Sequence, residues 1–386
     1  MFGVKSLKVW MTFLGWVGPY YRMLRQGSES SHSDRHRYFA LRSLAQNGVL
    51  HYFQEPHTYK DFVKEFQVVE TFPNGTKDTF AQDLIGLMVK YKILLLNENN
   101  QYQLNYPDSN DRILNYLMQY SPGKIPEDIP EFIVPTEILG DLNETFQEYM
   151  NHTFSRLQGH PHKFTAGVQL FNWDNSLNKS LYKEGRDCAL IMGDAYKIRN
   201  GRILDVGSGN GYGTADLWGR LHGKGNKIYG VDPSEDLLNI AREKFEFDSH
   251  CKDLGYAPPD DESYPKFYHM RAEDLNDPTC CPKEENQWHE FFDLAHLSYV
   301  LHWTSDHQEV FNGVARVLKP GGRFCGTQGW LEDVAEWSNV GFRVPEGSLG
   351  LPISRRAMME LFEKAGLKPV FFRTRIRHFV AYKPRK

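Results

Sequence analysis

Apolar residues recur at helical spacing through the first third of the chain and gather into short blocks after residue 200. "SESSHSDRH" (28–36) is polar and turn-rich and predicts a loop. "RYFALRSLAQNGVLHYF" (37–53) and "YKDFVKEFQV" (59–68) have the spacing of helices with one buried face. "KDTFAQDLIGLMVKYKILL" (77–95) predicts a helix of about a dozen residues running into a strand, as its apolar positions change period. "NENNQ" (97–101) is a turn, and "YQLN" (102–105) is the returning strand. Two helices followed by a small hairpin outline a winged-helix-like module. A module of that kind that reads DNA sets basic or amide side chains on its second helix. Here Asp78, Gln82 and Asp83 stand there, with Lys90 and Lys92 only at the end, so phosphates would be repelled. Dimerising, or lidding a neighbouring domain, suits the module better.

Four prolines in "SPGKIPEDIPEFIVP" (121–135) mark a linker. Helical spacing returns over 136–200, with a helix expected over 178–198. From Gly201 the blocks "RILDVG", "KIYGVD", "KFYHMRA", "FFDLAHLSYV" and "GRFCGTQ" alternate with helical segments. That alternation predicts an α/β fold with a doubly wound, Rossmann-like, mostly parallel sheet. The division expected is therefore a mainly helical, winged-helix-like domain over 1–120, a linker and helical connector over 121–200, and an α/β domain over 201–386.

Composition narrows the class. The 386 residues carry a formal net charge of −4, which disfavours a general nucleic-acid binder. The five cysteines have no CxxC spacing and form no Cys/His cluster, so reduced thiols and a cytoplasmic location are expected, with no metal site. Residues 4–27 are apolar and aromatic between basic flanks, but Gly15, Gly18 and Pro19 interrupt them. They are read as a helix packed on the core or a partner, or as an interfacial helix dipping Trp10, Phe13 and Trp16 into a membrane surface.

Candidate chemistry starts at "ILDVGSGNGYGT" (203–214). Gly207, Gly209 and Gly211 sit directly behind an apolar strand, where a doubly wound sheet binds its ligand. A dinucleotide loop runs GxGxxG and sets a pyrophosphate against a helix N-terminus. This loop runs GxGxG, and Asp205 lies where that anion would come close. A carboxylate there repels phosphate and welcomes an ammonium group. S-adenosylmethionine carries an ammonium and a sulfonium and no phosphate. Asp232 ends the next strand, "KIYGVDPS", 27 residues on, where an acid accepts hydrogen bonds from a ribose diol. "MRAEDL" (270–275) puts Glu273 and Asp274 where an adenine ring would lie, and Asp293 belongs to the fourth strand.

"LDVGSGNG", "GVDPS" and "VLKPGG", in that order and spacing, resemble the class I S-adenosylmethionine-dependent methyltransferases over about 201–386. The resemblance implies a seven-stranded sheet whose last two strands form a hairpin, here "VFFRTR" and "RHFVAYKP". It implies S-adenosyl-L-methionine as cofactor. Gly207, Ser208 and Gly209 would lie at its methionine part, Asp205 near its ammonium, Asp232 on the ribose, and Glu273 or Asp274 at the adenine, with Asp293 nearby. The helical part before it is similar to that of small-molecule O-methyltransferases, and by that analogy the protein is a homodimer.

Methyl transfer from a sulfonium is a direct displacement with a neutral leaving group, so alignment and water exclusion are its main demands. A neutral hydroxyl also needs a base. His302, in "VLHWTSD", follows the fourth strand and is the candidate. In the plant-type O-methyltransferases an aspartate follows that histidine, and here Trp303 does, so a pocket role for His302 competes with the catalytic one. His296 on the strand itself is read as structural. Trp303 and Trp330 are candidate walls of the acceptor pocket, with Glu332 and Trp337 beside them, and packing of Trp330, Glu332 and Trp337 against the domain above is the competing reading. The activity expected is methylation, at oxygen by preference, of a small apolar or aromatic acceptor. Its alternatives are a lipid or carboxylic-acid acceptor at a membrane surface and an inactive, cofactor-binding regulatory protein.

Overall fold

The computed structural model describes residues 29–71, 77–128, 130, 132, 150–160, 180–328, 336–344, 353–371 and 378–385. They fall into two compact units, each discontinuous in sequence.

The N-terminal unit opens with α1 (Glu29–Gln46), which occupies most of the segment expected to be a loop. That segment contains no proline, and Arg37 ties Asp34 within the helix and Asp111 outside it. Gly48 breaks the helix in a left-handed conformation, and the short α2 (Val49–Tyr52) follows. β1 (His57–Thr58) leads into α3 (Tyr59–Glu65), which Thr58 and Asp61 close with a reciprocal capping box. α4 (Phe80–Lys90), β2 (Leu94–Leu96) and β3 (Gln101–Leu104) form the helix and hairpin that the spacing predicts. β3 lies between β1 and β2 in a three-stranded antiparallel sheet. α5 (Arg112–Leu117) and α6 (Thr153–Leu157) complete this stretch.

The second unit carries α7 (Ser180–Met192) and a sheet of β4 (Arg202–Val206), β5 (Lys227–Asp232), β6 (Lys266–His269), β7 (Phe292–Ser298) and β8 (Leu318–Thr327). Between strands run α8 (Tyr212–Leu221), α9 (Glu235–Arg242), α10 (Lys244–Asp253) and α11 (His307–Val317). After α12 (Glu336–Arg343) come α13 (Arg355–Lys364), β9 (Lys368–Phe371) and β10 (His378–Tyr382). The order is β6-β5-β4-β7-β8-β10-β9, with β10 antiparallel to both its neighbours. This is the seven-stranded, doubly wound sheet that the alternation and the resemblance imply. Its strands are apolar on both faces because both are covered. Leu204, Val206, Val231 and Phe324 face one core, and Ile203, Ile228, Leu294 and Cys325 face the other. All five cysteines are free thiols.

α12 comes from the second half of the sequence but belongs to the N-terminal unit. Trp337 is fully buried there, edge-on to Tyr91 at 5.8 Å. Arg343 bonds Asp83 at 2.6 Å and lies 3.6 Å from Asp78, which Arg156 grips at 2.6 Å. Both guanidinium groups also stand over the Phe80 ring. Asp78 is thus buried in an ion-pair cluster and does not lie on an exposed helix face. Trp337 is a core residue of this unit, so of its two readings the packing one holds and the pocket one does not.

Among the described residues no helix is long and apolar enough to cross a membrane. Residues 4–27 lie outside them.

Candidate active site

β4 ends at Val206, and the chain turns through the glycine loop into α8. Gly207 and Gly209 both hold positive φ, at 75° and 54°. A side chain on Gly207 would collide with Val300 at 2.4 Å, whereas one on Gly209 would enter open space. The first glycine serves packing and the second leaves room. The loop's own donors decide what that room suits. Gly207 and Ser208 donate their N–H groups to the Val231 carbonyl at 2.8 and 2.9 Å. Gly209 donates to Asp232, and Gly211 donates to the Ser208 carbonyl. These four N–H groups are engaged inside the protein. A pyrophosphate needs such groups pointing outward.

Two carboxylates stand beneath this loop. Asp232, the last residue of β5, accepts from Gly209 N and Ser234 N, each at 2.9 Å. Burial pushes its carboxyl up, those two N–H donors pull it back, and the charge of Asp205 raises it further. Ser234 caps α9 by accepting from Leu237 N, so Asp232 is not the cap and keeps its position at the strand tip. Asp205, two residues before the loop, accepts from the Thr214 hydroxyl at 2.7 Å. Its other oxygen faces His296 Nδ1 at 3.2 Å. The sequence reading missed Thr214 and left His296 as structural. Only the register, which sets Asp205 opposite His296 on β7, brings the three together.

The remaining candidates separate. Glu273 and Asp274 follow the tip of β6 on the same edge of the sheet. Glu273 accepts from Ser305 N and Oγ at 2.7 and 2.8 Å, and Asp274 pairs with Arg271. Asp293 is corrected: it opens β7, at the end of the sheet away from the loop. There it accepts from Arg202 N and from Lys319. A parallel strand puts its first residues on the side opposite the ligand. His302 and Trp303 lie in a short turn just past β7 (301–303). His302 is buried, and burial, with a smaller effect of His307, pushes its imidazole down to about 3. Trp303 is partly exposed, its ring 5.0 Å from that of His302. Tyr299, at the same strand tip, holds φ of +56°, a strained conformation for a bulky residue that no sequence signal marks. Trp330 and Glu332 lie outside the described residues.

A methyltransferase-domain family model matches residues 183–370, which holds the glycine loop and both strand-tip acids. Residues 183–370 thus match a methyltransferase domain, and the sheet they build has the fold of the class I S-adenosylmethionine-dependent methyltransferases. Arsenite methyltransferase of Mus musculus is 31% identical over 135 residues, 35% of this chain and 32% of that protein. Ubiquinone/menaquinone biosynthesis C-methyltransferase UbiE of Pectobacterium carotovorum is 28% identical over 125 residues, 32% of this chain and 41% of that protein. The matches thus span only about a third to two fifths of these curated relatives. Among solved structures, the CurJ carbon methyltransferase aligns with a TM-score of 0.65 at 15% identity, covering 94% of this chain and 93% of that one. The citrinin polyketide synthase CMeT domain aligns with a TM-score of 0.65 at 13% identity, covering 99% and 96%. At those identities the likeness is one of fold.

The cofactor of a methyltransferase domain of this class is S-adenosyl-L-methionine, and the residues present fit it. Two buried carboxylates suit a cation, the engaged N–H groups do not suit a phosphate, and Gly209 opens space beside Asp232. The Ser208 hydroxyl, buried without a partner among the described residues, is a further polar group in the loop. With the cofactor bound, Asp232 would hold the ribose and Asp205 would face the amino-acid end. When bound, the cofactor supplies an electrophilic methyl group on a positively charged sulfur.

Proposed function

We propose that the protein transfers a methyl group from S-adenosylmethionine to a small apolar or aromatic acceptor. One observation carries this reading: a bare loop whose N–H groups are engaged internally, above a buried carboxylate on each of two adjacent strands. In this reading Asp232 and Asp205 hold the donor, while the turn bearing His302 and Trp303 adjoins the acceptor.

The state of His302 bears on the acceptor. A buried imidazole lowered to about 3 is neutral at physiological pH and is a weak base. Removing a proton from a group of pKa ~10 onto it costs about 9–10 kcal/mol. The reading therefore favours an acceptor that is nucleophilic without strong base assistance. An oxygen already ionised, such as a carboxylate or phenolate, meets that condition, and so does an electron-rich carbon. Oxygen stays the first choice. Carbon is the second, supported by the relatives named for carbon methylation. His302 then shapes the pocket and offers a neutral hydrogen-bonding group.

The test pairs two experiments. Calorimetry with adenosylhomocysteine and with NAD asks which ligand the loop holds, and binding of NAD alone would end the proposal. Incubation of metabolite extracts with methyl-labelled donor, followed by mass identification of the product, then names the acceptor and the atom.

A further inference from the structure

The parallel ladder between β7 and β8 ends where Ser298 faces Thr327, their hydroxyls 2.8 Å apart. Tyr299 donates its N–H to the Thr327 carbonyl at 2.8 Å and turns the chain with its positive φ. The N–H of Leu301 is then met by a side chain instead of a strand. Gln328, the residue after β8, accepts it through Oε1 at 3.2 Å. A backbone N–H only donates, which sets the amide of Gln328 with its oxygen toward Leu301. Leu301 is fully buried and Gln328 is 1% exposed, so water does not readily replace either partner. The Leu301 carbonyl is held as closely. It accepts from the Thr304 hydroxyl at 2.9 Å and from His307 Nε2 at 2.8 Å. Further along, Glu273 accepts from Ser305 N and Oγ and ties the turn to the loop after β6. Residues 299–306 are thus pinned from the end of β8, from the start of α11 and from the loop after β6. His302 and Trp303 sit between the pins.

We propose that Gln328 is a positioning residue for methyl transfer. Its side chain extends the β7–β8 ladder by one bond past the point where the backbones part. That bond fixes where the His302–Trp303 turn lies relative to the strand tips. The acceptor rests against this turn, so its distance from the cofactor's methyl group follows the turn. An in-line displacement is sensitive to such placement, and an error of about 1 Å costs about 100-fold in rate. Gln328 takes no part in the chemistry itself. The glycine loop and Asp232 belong to β4 and β5, on the far side of β7 in the sheet order, so loss of the Gln328 bond acts on transfer and spares cofactor binding. The inference rests on the functional reading above.

The experiment compares the full wild-type chain with Gln328→Met, which keeps the length of the side chain and loses its acceptor oxygen. Three readouts are taken. Hydrogen exchange, followed by mass spectrometry with fragmentation, should speed up about tenfold or more over 299–306 in the variant and stay unchanged over the glycine loop. Calorimetry should give an adenosylhomocysteine affinity within about twofold of wild type. The initial rate of label transfer from methyl-labelled S-adenosylmethionine into a metabolite extract should fall about 10- to 100-fold at saturating donor, with the donor concentration for half-maximal rate unchanged. Unchanged exchange over 299–306 overturns the proposal, as does a loosened turn with an unchanged rate. Equal losses of donor affinity and rate also overturn it, because they make Gln328 a general support of the fold. If Gln328→Met does not fold, wild-type exchange decides: the Leu301 amide should be protected to the same order as that of Tyr299, and free exchange at Leu301 sinks the idea. A wild type that binds adenosylhomocysteine yet labels nothing in the extract counts against the functional reading instead, and the exchange data still show whether Gln328 holds the turn.

Discussion

Gly209 donates its N–H to Asp232 at 2.9 Å, so the residue that leaves room for the ligand is tied to the acid that would hold it. Loop shape and ligand contact thus depend on one carboxylate. Asp232→Ala is expected to weaken adenosylhomocysteine binding by about 10- to 100-fold, the size of one or two hydrogen bonds to a charged group. Because Asp232→Asn also forfeits charge but keeps one acceptor for Gly209 N, it should fall between. Unchanged calorimetric affinity in the alanine variant would remove Asp232 from the site.

The two glycines separate stability from binding. Gly207→Ala meets Val300 as well as a positive φ, and is expected to destabilise the fold by about 2–5 kcal/mol. Gly209→Ala meets no atom, so the left-handed backbone alone would cost about 1–2 kcal/mol. Its methyl group would project into the ligand's space and depress affinity more than stability. Denaturant unfolding alongside calorimetry checks both, and the reverse ranking would contradict the geometry.

His302 gives a pH prediction of definite sign. Its folded-state value is about 3, against 6.5 for the free side chain. Below pH 6.5 the unfolded chain takes up a proton that the folded chain refuses, so this contribution to stability is full above 6.5 and is lost as pH falls toward 3. At pH 5 the loss is about 2 kcal/mol. His302→Asn should therefore lose less stability than wild type between pH 7 and 5. Urea unfolding at the two pH values measures the difference, and parallel losses would show that the imidazole is not held neutral by burial.

In the N-terminal unit, Asp78 is the buried anion between Arg156 and Arg343. Asp78→Ala leaves two guanidinium groups facing each other and is expected to cost about 3–5 kcal/mol. Trp337→Ala should cost a similar ~3–5 kcal/mol by opening a cavity in the same core. Losses under 1 kcal/mol for both in chemical denaturation would mean that α12 does not complete this unit.

How far the sequence could be read depends on the range of the forces concerned. The glycine loop, the alternating strands and the acid at the tip of β5 are local patterns, and they stand where the spacing puts them. Asp293 went astray because an acidic residue in an apolar block reads the same at either end of a strand. Strand direction puts it far from the ligand, holding Arg202 and Lys319. The Asp205–His296 pair was hidden because it depends on register between strands 91 residues apart. Trp337, Val340 and Val344 have the spacing of any amphipathic helix, and nothing in that spacing says which core receives them.

The placement of α12 bears on how the protein is made. Synthesis runs from the N-terminus at about 5–20 residues per second, and some 176 residues separate His160 from Glu336. The first unit to emerge therefore waits on the order of ten seconds or more for its last helix. Through that interval the pocket for Trp337 and the anionic seat for Arg343 stay unfilled on a nascent chain.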